Sequence, residues 1–239
     1  SANNQLEFAI AYGDKEGSGS VPFDSAVVGK SPSSTHYGQY RNLVLGDENA
    51  DFSFGGVTAS DFYAISIDRN RYKESLFPGS LTLELSGSDG KPVLSLTDNS
   101  QVATTVQFND AGRVFQLVSG SAGSVFTGVN SNGYSENQGS YGFFLPDIAT
   151  LLLNPLAISE SAGIETTAVT SSNLTNNQTL FNALTGSASN FVLNSSETIT
   201  SDFIFVRPRS SQFNYSENPS FISGSTGEVI YSSFVNNPQ

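Results

Sequence analysis

The feature that most constrains the fold of this chain is an alternation of apolar and polar residues between positions 60 and 86. The alternation occurs in two runs, at residues 63–67 and 81–86, which are joined by a basic connection containing Arg69 and Arg71. A period of two places the apolar side chains on one face of an extended backbone and the polar side chains on the other. We therefore predict two β-strands here, each with one buried face and one face toward water.

A second stretch, residues 201–221, repeats this plan loosely. Both stretches begin with Ser-Asp-Phe, continue with a short apolar run and reach an Arg-x-Arg pair, which in the second stretch consists of Arg207 and Arg209. The apolar run Phe203–Val206 predicts a further strand. The repeat is explained either by an internal duplication or by coincidence in a chain of low complexity.

Short strands and turns alternate through residues 81–129. Turn sequences occur at Ser88–Gly90, at Asn109–Gly112 and at Ser119–Ser124, between short apolar runs. Turns spaced by roughly 8–12 residues are typical of antiparallel sandwiches and barrels. The predicted fold class is therefore mainly β, with an antiparallel meander at 81–129 that forms a sandwich or barrel-like domain.

The apolar period changes later in the chain. The apolar run at 148–153, between Pro146 and Pro155, predicts a short helix that the second proline ends. The spacing of apolar residues over 174–184 predicts another helix. We therefore expect one or two short helices in an excursion at about 147–190, after which strand character returns.

The chain has 239 residues, enough for one large β domain or two smaller ones. We assign residues 1–145 to a β-rich domain and residues 146–239 to a mixed segment with short helices and returning strands. The sequence leaves open whether the two segments fold as one domain. Residues 21–40, rich in Pro, Ser and Gly, are predicted to run extended over the surface.

Charge and composition argue against several classes of partner. The net charge is −12, and only 13% of the residues are charged. Nucleic-acid-binding surfaces are basic, and an acidic surface is repelled by anionic lipid, so we expect neither partner. No apolar run approaches the roughly 20 residues that cross a bilayer, so we expect no membrane insertion. Without cysteine the chain can form no disulfide, zinc–thiolate site or thiol nucleophile.

The candidate catalytic residues lack the sequence context that catalysis requires. His36 is the only histidine, and no Gly-x-Ser-x-Gly nucleophile elbow accompanies it. Gly17 and Gly19 are followed by no predicted helix that could hold a phosphate. A glycosidase pair needs two carboxyls held about 5–10 Å apart, and the candidates for such a pair are Asp61, Asp68, Glu74 and Glu84. We expect no catalytic residue and no cofactor.

One acidic turn has part of a calcium-binding pattern. Asp47, Asn49 and Asp51 have the alternate spacing that begins an EF-hand loop. Phe52 stands where that loop requires glycine, and Thr58 stands where it requires the closing glutamate. We therefore interpret the turn as an exposed acidic turn and predict no metal site.

Several short motifs, in order from end to end of the chain, resemble one protein family. They are Tyr12-Gly13 with Gly17–Ser20, Tyr37–Leu43, Phe54–Gly56, Arg71–Glu74 with Pro78-Gly79, Phe144–Ile148 with Leu153–Pro155, and Phe205–Arg207 with Phe213–Ser216 and Asn218–Phe221. The series resembles virion structural proteins of contractile-tailed phages (myoviruses), especially those that infect marine cyanobacteria. Members of that family are associated with the tail and its baseplate.

The resemblance implies a function. It implies a non-enzymatic structural component of a phage virion, a tail or baseplate building block assembled in multiple copies. Its partners would be other virion proteins and copies of itself, and its location would be the virion. The alternative function is a carbohydrate-binding adhesin or tail-fibre domain that contacts the host surface. Five tyrosines are the candidate surface platforms for sugars: Tyr37, Tyr40, Tyr72, Tyr134 and Tyr141.

The two Arg-x-Arg pairs are the candidate subunit contacts: Arg69, Arg71, Arg207 and Arg209. Each pair follows an apolar strand and precedes a segment with proline, as would suit an arm that crosses onto a neighbour. Arginine is enriched in interfaces, and cations are scarce in this acidic chain. The competing interpretation is that both pairs are solvated strand ends with weak ion pairs.

Overall fold

The computed structural model of the chain describes residues 6–20, 31–88, 90–126, 134–135, 139–167, 175–186 and 189–206. The helices in these residues are α1 (Pro32–Leu45), α2 (Pro155–Ala162) and α3 (Thr175–Thr185), with short 3-10 helices at Arg69–Arg71 and Pro146–Ile148. The strands are β1 (Phe8–Asp14), β2 (Phe52–Phe54), β3 (Val57–Ala59), β4 (Asp61–Ile67), β5 (Ser75–Leu76), β6 (Thr82–Leu85), β7 (Leu94–Asp98), β8 (Gln107–Asn109), β9 (Gly112–Ser121), β10 (Ser124–Val125), β11 (Tyr134–Ser135), β12 (Gly139–Ser140), β13 (Gly142–Leu145), β14 (Thr150–Leu153), β15 (Asn190–Val192) and β16 (Ser195–Ser196).

Ten strands form one antiparallel sheet that curls into a half-barrel. Their order is β1-β4-β14-β13-β9-β7-β6-β15, with β8 and β10 each paired to β9. The predicted fold class is confirmed, since the protein is mainly β and antiparallel and carries α2 and α3 in the predicted excursion. The predicted meander is present as the neighbouring strands β6, β7 and β9.

Strand β4 lies inside the sheet and is buried on both faces. Tyr63 and Ile65 belong to one apolar core, to which α2 and α3 contribute, and Phe62 and Ala64 belong to a second core beneath α1. All four side chains are inaccessible to water. The prediction that one face of this strand is turned toward water is therefore wrong, because α1 and the β2–β3 hairpin cover that face.

Helix α1 occupies residues that the sequence predicts to be extended. Ser31 begins it through a reciprocal capping box, in which the Ser31 hydroxyl accepts from the Ser34 amide and the Ser34 hydroxyl accepts from the Ser31 amide. Pro32 follows at the first helical position, where its missing N–H has no cost. The extended conformation predicted for 21–40 is wrong from Pro32 onward, and residues 21–30 lie outside the described residues.

The helix predicted over 148–153 is also wrong, because residues 150–153 form strand β14 between β4 and β13. All of β14 is buried. A continuous apolar run of this kind is compatible with a central strand or with a buried helix, and periodicity cannot separate the two. Helix α2 begins only at Pro155, where the Asn154 side chain caps it by accepting from the Leu156 amide at 3.2 Å.

The chain divides into two compact units, Ser1–Thr198 and Ile199–Gln239. The predicted boundary between residues 145 and 146 falls inside the first unit. In the second unit the structure describes residues 199–206, which have no helix or strand. The strand predicted at Phe203–Val206 is therefore not formed in this chain.

No helix within the described ranges is long and apolar enough to cross a membrane.

Candidate functional site

The two edge strands of the half-barrel, β1 and β15, approach each other without pairing in the described structure. Strand β1 pairs with β4, and β15 pairs with β6. The rings of Phe8 in β1 and Phe191 in β15 meet edge-on, with their centres 5.6 Å apart. We call the line between these two strands the seam. Unpaired strand edges present backbone N–H and C=O groups to which another strand can bind.

A cavity of about 260 Å³ opens along the seam. We call it the seam groove. Its apolar walls come from both edges of the sheet and from the strands beside them: Phe8, Ile67, Leu76, Phe191 and Leu193. Its polar lining residues are Glu7, Arg71 and Ser195. Small-molecule sites usually enclose about 300–1,000 Å³, so a groove of this size suits a few side chains better than a whole ligand.

A second cavity, of about 560 Å³, lies between the start of β1 and helix α3. It shares Glu7 and Phe8 with the seam groove, and Phe181 of α3 lines its opposite side. Farther along β1, the ring Nδ1 of His36 lies 3.2 Å from the carbonyl oxygen of Tyr12, so α1 covers that part of the edge. The open part of the edge is therefore its beginning, at residues 6–10.

The structure places one of the four predicted contact arginines at this groove. The Arg71 guanidinium lines the seam groove and donates to Glu7 Oε1 at 3.3 Å and to the Leu6 carbonyl at 3.4 Å. Arg69 turns away from it, since its Nη1 donates to the Tyr72 carbonyl at 2.9 Å and its guanidinium lies 4.6 Å from the Tyr72 ring centre. The basic connection thus has one arginine committed to local packing and one at the rim of a groove.

The other two predicted contacts, Arg207 and Arg209, lie outside the described residues. The role of all four arginines between subunits stays a prediction. Arg71 has the position that such a contact requires, because its guanidinium keeps donors that its long bonds to Leu6 and Glu7 do not use.

A group of buried acidic and phenolic side chains lies where β1 pairs with β4. Tyr12 donates to Asp61 Oδ2 at 3.0 Å, and Asp14 stands directly opposite Asp61 in the ladder. Burial, reinforced by the charge of Asp14, raises the pKa of Asp61, and burial also raises the pKa of Asp14. The Tyr63 hydroxyl is buried and has no hydrogen-bond partner among the described residues. This group therefore holds protons more tightly than free carboxyls do.

The cavity beside this group is too small for a substrate. It measures about 50 Å³ and is lined by Tyr12, His36 and the hydroxyls of Ser20 and Ser33, among others. These two hydroxyls bond to each other at 2.8 Å. In the part of the chain that the structure describes, His36 bonds to no serine hydroxyl and no carboxylate. A space of this size holds about one or two water molecules.

The four carboxyls considered as a glycosidase pair each have a local partner. Asp68 caps the 3-10 helix by accepting from the Asn70 amide at 2.9 Å. Glu74 accepts from the Thr198 amide at 2.9 Å, and this bond lowers the pKa of Glu74. Neither groove at the seam is lined by any of the four: Asp61, Asp68, Glu74 and Glu84.

The acidic turn binds its own neighbours. The carboxylate of Asp47 accepts from the Asn49 amide at 2.8 Å, and Asp51 forms an ion pair with Lys15 at 2.8 Å. Across the described ranges, no three His, Asp or Glu side chains gather closely enough to hold a metal ion.

Two of the five tyrosines proposed as sugar platforms are buried. Tyr37 and Tyr141 are buried in the two cores, so the prediction that they are surface residues is wrong. Tyr40 and Tyr72 are partly buried, and the side chain of Tyr134 lies outside the described residues.

One structural ion pair was not singled out by the sequence. Arg113 of β9 donates to Asp147 Oδ1 at 3.0 Å and to the Ser75 hydroxyl at 3.2 Å. Although partial burial acts in the opposite direction, the bonds and charge of Arg113 lower the pKa of Asp147. No local pattern joins these residues, because the pairing of β9 with β13 brings them together.

The seam and its groove, with Arg71 at the rim, form the candidate functional site. The site was not predictable as a whole, since its walls come from residues 7–8, from the connection after β4 and from residues 191–195. Comparisons of this chain with protein-family models, with curated proteins and with solved structures found no match.

Proposed function

We propose that this chain is a non-enzymatic structural component of a phage virion, a tail or baseplate building block that assembles in multiple copies. The observation that carries the proposal is the seam, where two strand edges and an apolar groove are left uncovered among the described residues. Proteins that act alone usually cover, charge or shorten such edges, because they invite association. The tail or baseplate setting comes from the resemblance of the sequence motifs.

The exposed apolar segment after the first unit also supports association. Phe203 and Phe205 are 96% and 97% exposed, and the two aliphatic residues beside them are largely exposed as well. Monomeric soluble proteins rarely expose contiguous apolar patches of this kind, and such patches mark sites of interaction. A building block covers them when it meets its neighbours.

The arrangement of the ionisable groups favours a structural role over a catalytic one. His36 bonds to a backbone carbonyl, and the partly buried Asp61 bonds to Tyr12 beside a cavity of about 50 Å³. Catalysis requires such groups to face a space that a substrate can enter. The two cavities at the seam are lined mainly by apolar side chains. A third cavity, of about 470 Å³, is lined by Leu6, Asn70, Arg71 and one carboxyl, that of Asp68, which already accepts from the Asn70 amide.

The test is the composition of purified particles of a phage that encodes this chain. Peptide mass spectrometry of intact virions is expected to find the protein at a constant ratio to the other tail proteins. A low-resolution map of the particle should then show its density in the tail or baseplate as a symmetric set of copies. Its absence from purified virions would contradict the proposal.

A second measurement separates this function from host-surface binding. On a glycan array, the purified chain is expected to bind no polysaccharide specifically. Specific binding at micromolar concentration would instead favour the carbohydrate-binding adhesin or tail-fibre domain.

A further inference from the structure

The segment Phe203–Val206 has the sequence of a strand but pairs with no strand among the described residues. Its side chains are between 77% and 97% exposed, and none of the described residues pairs with its backbone. Extended apolar segments of this type gain stability by adding to the edge of another sheet, through main-chain hydrogen bonds and alternate side-chain pockets. The segment therefore has the properties of a strand to be donated.

The seam has the complementary properties. The beginning of β1 has one edge paired with β4, while its other edge borders the seam groove. The groove offers apolar walls from Ile67, Leu76 and Leu193 to side chains that arrive from outside. An added strand there would extend the sheet and cover its apolar edge.

The two surfaces also match in pattern and charge. In an extended strand Phe203 and Phe205 point to the same side, so both could enter one apolar groove. Asp202 precedes them with a negative charge, and Arg71 at the groove rim, although it pairs with Glu7 at 3.3 Å, keeps guanidinium donors that this pair does not use. Opposite charges across a contact fix the register in which two surfaces meet.

The connection before the donated segment is long enough to reach a neighbour. Residues 197–202 separate it from β16, and six extended residues span about 20 Å. We propose that residues 203–206 of one copy form a β-strand against the open edge of β1 in a second copy, with the phenylalanines in the seam groove. The inference rests on the proposed function in that the chain assembles with copies of itself. The inference adds the surface through which the copies assemble.

The first experiment uses the full chain and a donor variant, Phe203→Asp with Phe205→Asp. Both side chains are almost fully exposed, so circular dichroism and melting of the variant should match the wild type. In analytical ultracentrifugation the wild type should associate at micromolar concentration, and the donor variant should associate at least about tenfold more weakly. The matched control is Phe108→Asp, an exposed phenylalanine at 72% in β8 that should leave association unchanged.

The second experiment uses a synthetic peptide of residues 199–206 with the donor variant, whose own groove is intact. The peptide should bind and should slow amide hydrogen exchange within residues 6–10, at Phe8 and Ile10. Their N–H groups point away from β4 toward the new strand, since the alternate residue Glu7 faces β4 and accepts from the Asp68 amide. A peptide with both phenylalanines replaced by aspartate should neither bind nor slow this exchange. The variant Leu193→Asp, which places a charge in the groove, should not bind the peptide. Circular dichroism must first show that this variant is folded.

Three outcomes would overturn the inference: a wild type that stays monomeric, a donor variant that associates as the wild type does, or peptide binding without protection of residues 6–10. These outcomes are distinguishable from failure of the proposed function. If the protein is absent from virions but the donor variant and the peptide behave as expected, strand donation is supported and the proposed role in a phage virion is contradicted. If it is present in virions and the donor variant still assembles, the building block uses another surface.

Discussion

The ring of Phe8 packs edge-on against the ring of Phe191, with centres 5.6 Å apart, and so connects the two opposite edges of one curled sheet. The two residues lie near the two ends of the first compact unit, so this contact can form only when the intervening strands are in place. It also forms part of the wall of the seam groove. The same pair therefore bears on the closure of the half-barrel and on the shape of its candidate functional site.

Phe191→Ala is expected to lower the free energy of unfolding by about 2–3 kcal/mol, less than for a fully buried phenylalanine, because the ring is partly buried. A double-mutant cycle with Phe8→Ala should give a coupling of about 0.5–1.5 kcal/mol, the range for aromatic pairs. Urea unfolding measures both values. Phe108→Ala, at an exposed site, should cost less than about 0.5 kcal/mol. A coupling near zero would show that the rings do not stabilise the seam.

Asp61→Asn is expected to stabilise the protein at pH 7. Burial raises the pKa of Asp61 in the folded chain above its unfolded value, which is about 4. The stability associated with this group is therefore fully present below about pH 4 and is lost as the pH rises through the raised pKa. Asparagine still accepts the Tyr12 hydrogen bond but carries no charge.

The Asp61→Asn variant should accordingly melt at a higher temperature than the wild type at pH 7, and the difference should shrink toward zero near pH 4. Thermal unfolding across this range measures the difference. Glu48→Gln, which neutralises an exposed carboxyl, should give little difference at any pH. A variant that is less stable than the wild type at pH 7 would show that Asp61 is stabilised as a carboxylate.

Arg113→Gln is expected to have the opposite pH dependence. Arg113 lowers the pKa of Asp147 below its unfolded value, so the stability from this pair is present above about pH 4 and is lost as the pH falls through the lowered pKa. The pair is partly exposed, so the loss at pH 7 should be about 1 kcal/mol. The stability of Arg113→Lys should lie between those of the wild type and Arg113→Gln, because an ammonium keeps the charge but cannot form the forked contact. An equal loss at pH 3 and pH 7 would exclude the ion pair as its cause.

Asp98→Ala is expected to be one of the more destabilising single changes, at about 3 kcal/mol. The carboxylate of Asp98 is inaccessible to water and accepts from the Gly79 amide through both oxygens, at 2.9 Å, and from the Ser100 amide at 3.1 Å. Its removal leaves two amides without their acceptor. Asp98→Asn should lower the free energy of unfolding by less than Asp98→Ala does, since the remaining amide oxygen can still accept a hydrogen bond. Denaturant unfolding measures both, and a loss below about 1 kcal/mol for alanine would mean that water replaces the carboxylate.

Arg71→Glu is expected to reduce incorporation into particles while changing the free energy of unfolding by less than about 1 kcal/mol, because the bonds of Arg71 to Leu6 and Glu7 are long and exposed. Arg69→Glu is the matched comparison, since Arg69 belongs to the same 3-10 helix but packs on Tyr72. Incorporation is measured by mass spectrometry of particles, with circular dichroism as the check on folding. Loss of folding in Arg71→Glu would make the residue structural, and normal incorporation would remove it from the interface.

The sequence alone was sufficient to predict the strands with regular alternation and the hairpins between them. The runs predicted at 81–86 and 93–96 pair as predicted, in β6 and β7, because a short connection joins them and both patterns are local. A helix was predicted over the segment of α3, but of the predicted apolar face only Leu184 is buried, since Phe181 is 48% exposed and Leu174 lies outside the described residues. Within the candidate site, only Arg71 was singled out beforehand, as part of a basic connection.

Other elements were not determined by their local sequence. Helix α1 begins inside a segment rich in Ser and Pro, and the apolar run of β14 suits a helix as well as a strand. Which form each takes depends on what covers it, since α1 buries Tyr37 beneath it and β14 is flanked by two strands. The energy that decides between such forms comes from packing partners that are distant in the chain.

The sequence by itself determined the fold class, the meander strands β6, β7 and β9 and the acidic, cysteine-free composition, since alternation, turn residues and charge are properties of short segments. Only the tertiary structure decided that β1 and β15 meet at a seam, that Phe8 contacts Phe191 and that Arg71 stands at a groove. These relationships depend on the order of strands in the sheet and on its curvature. Both arise from packing among residues far apart in the chain, and no local period encodes them.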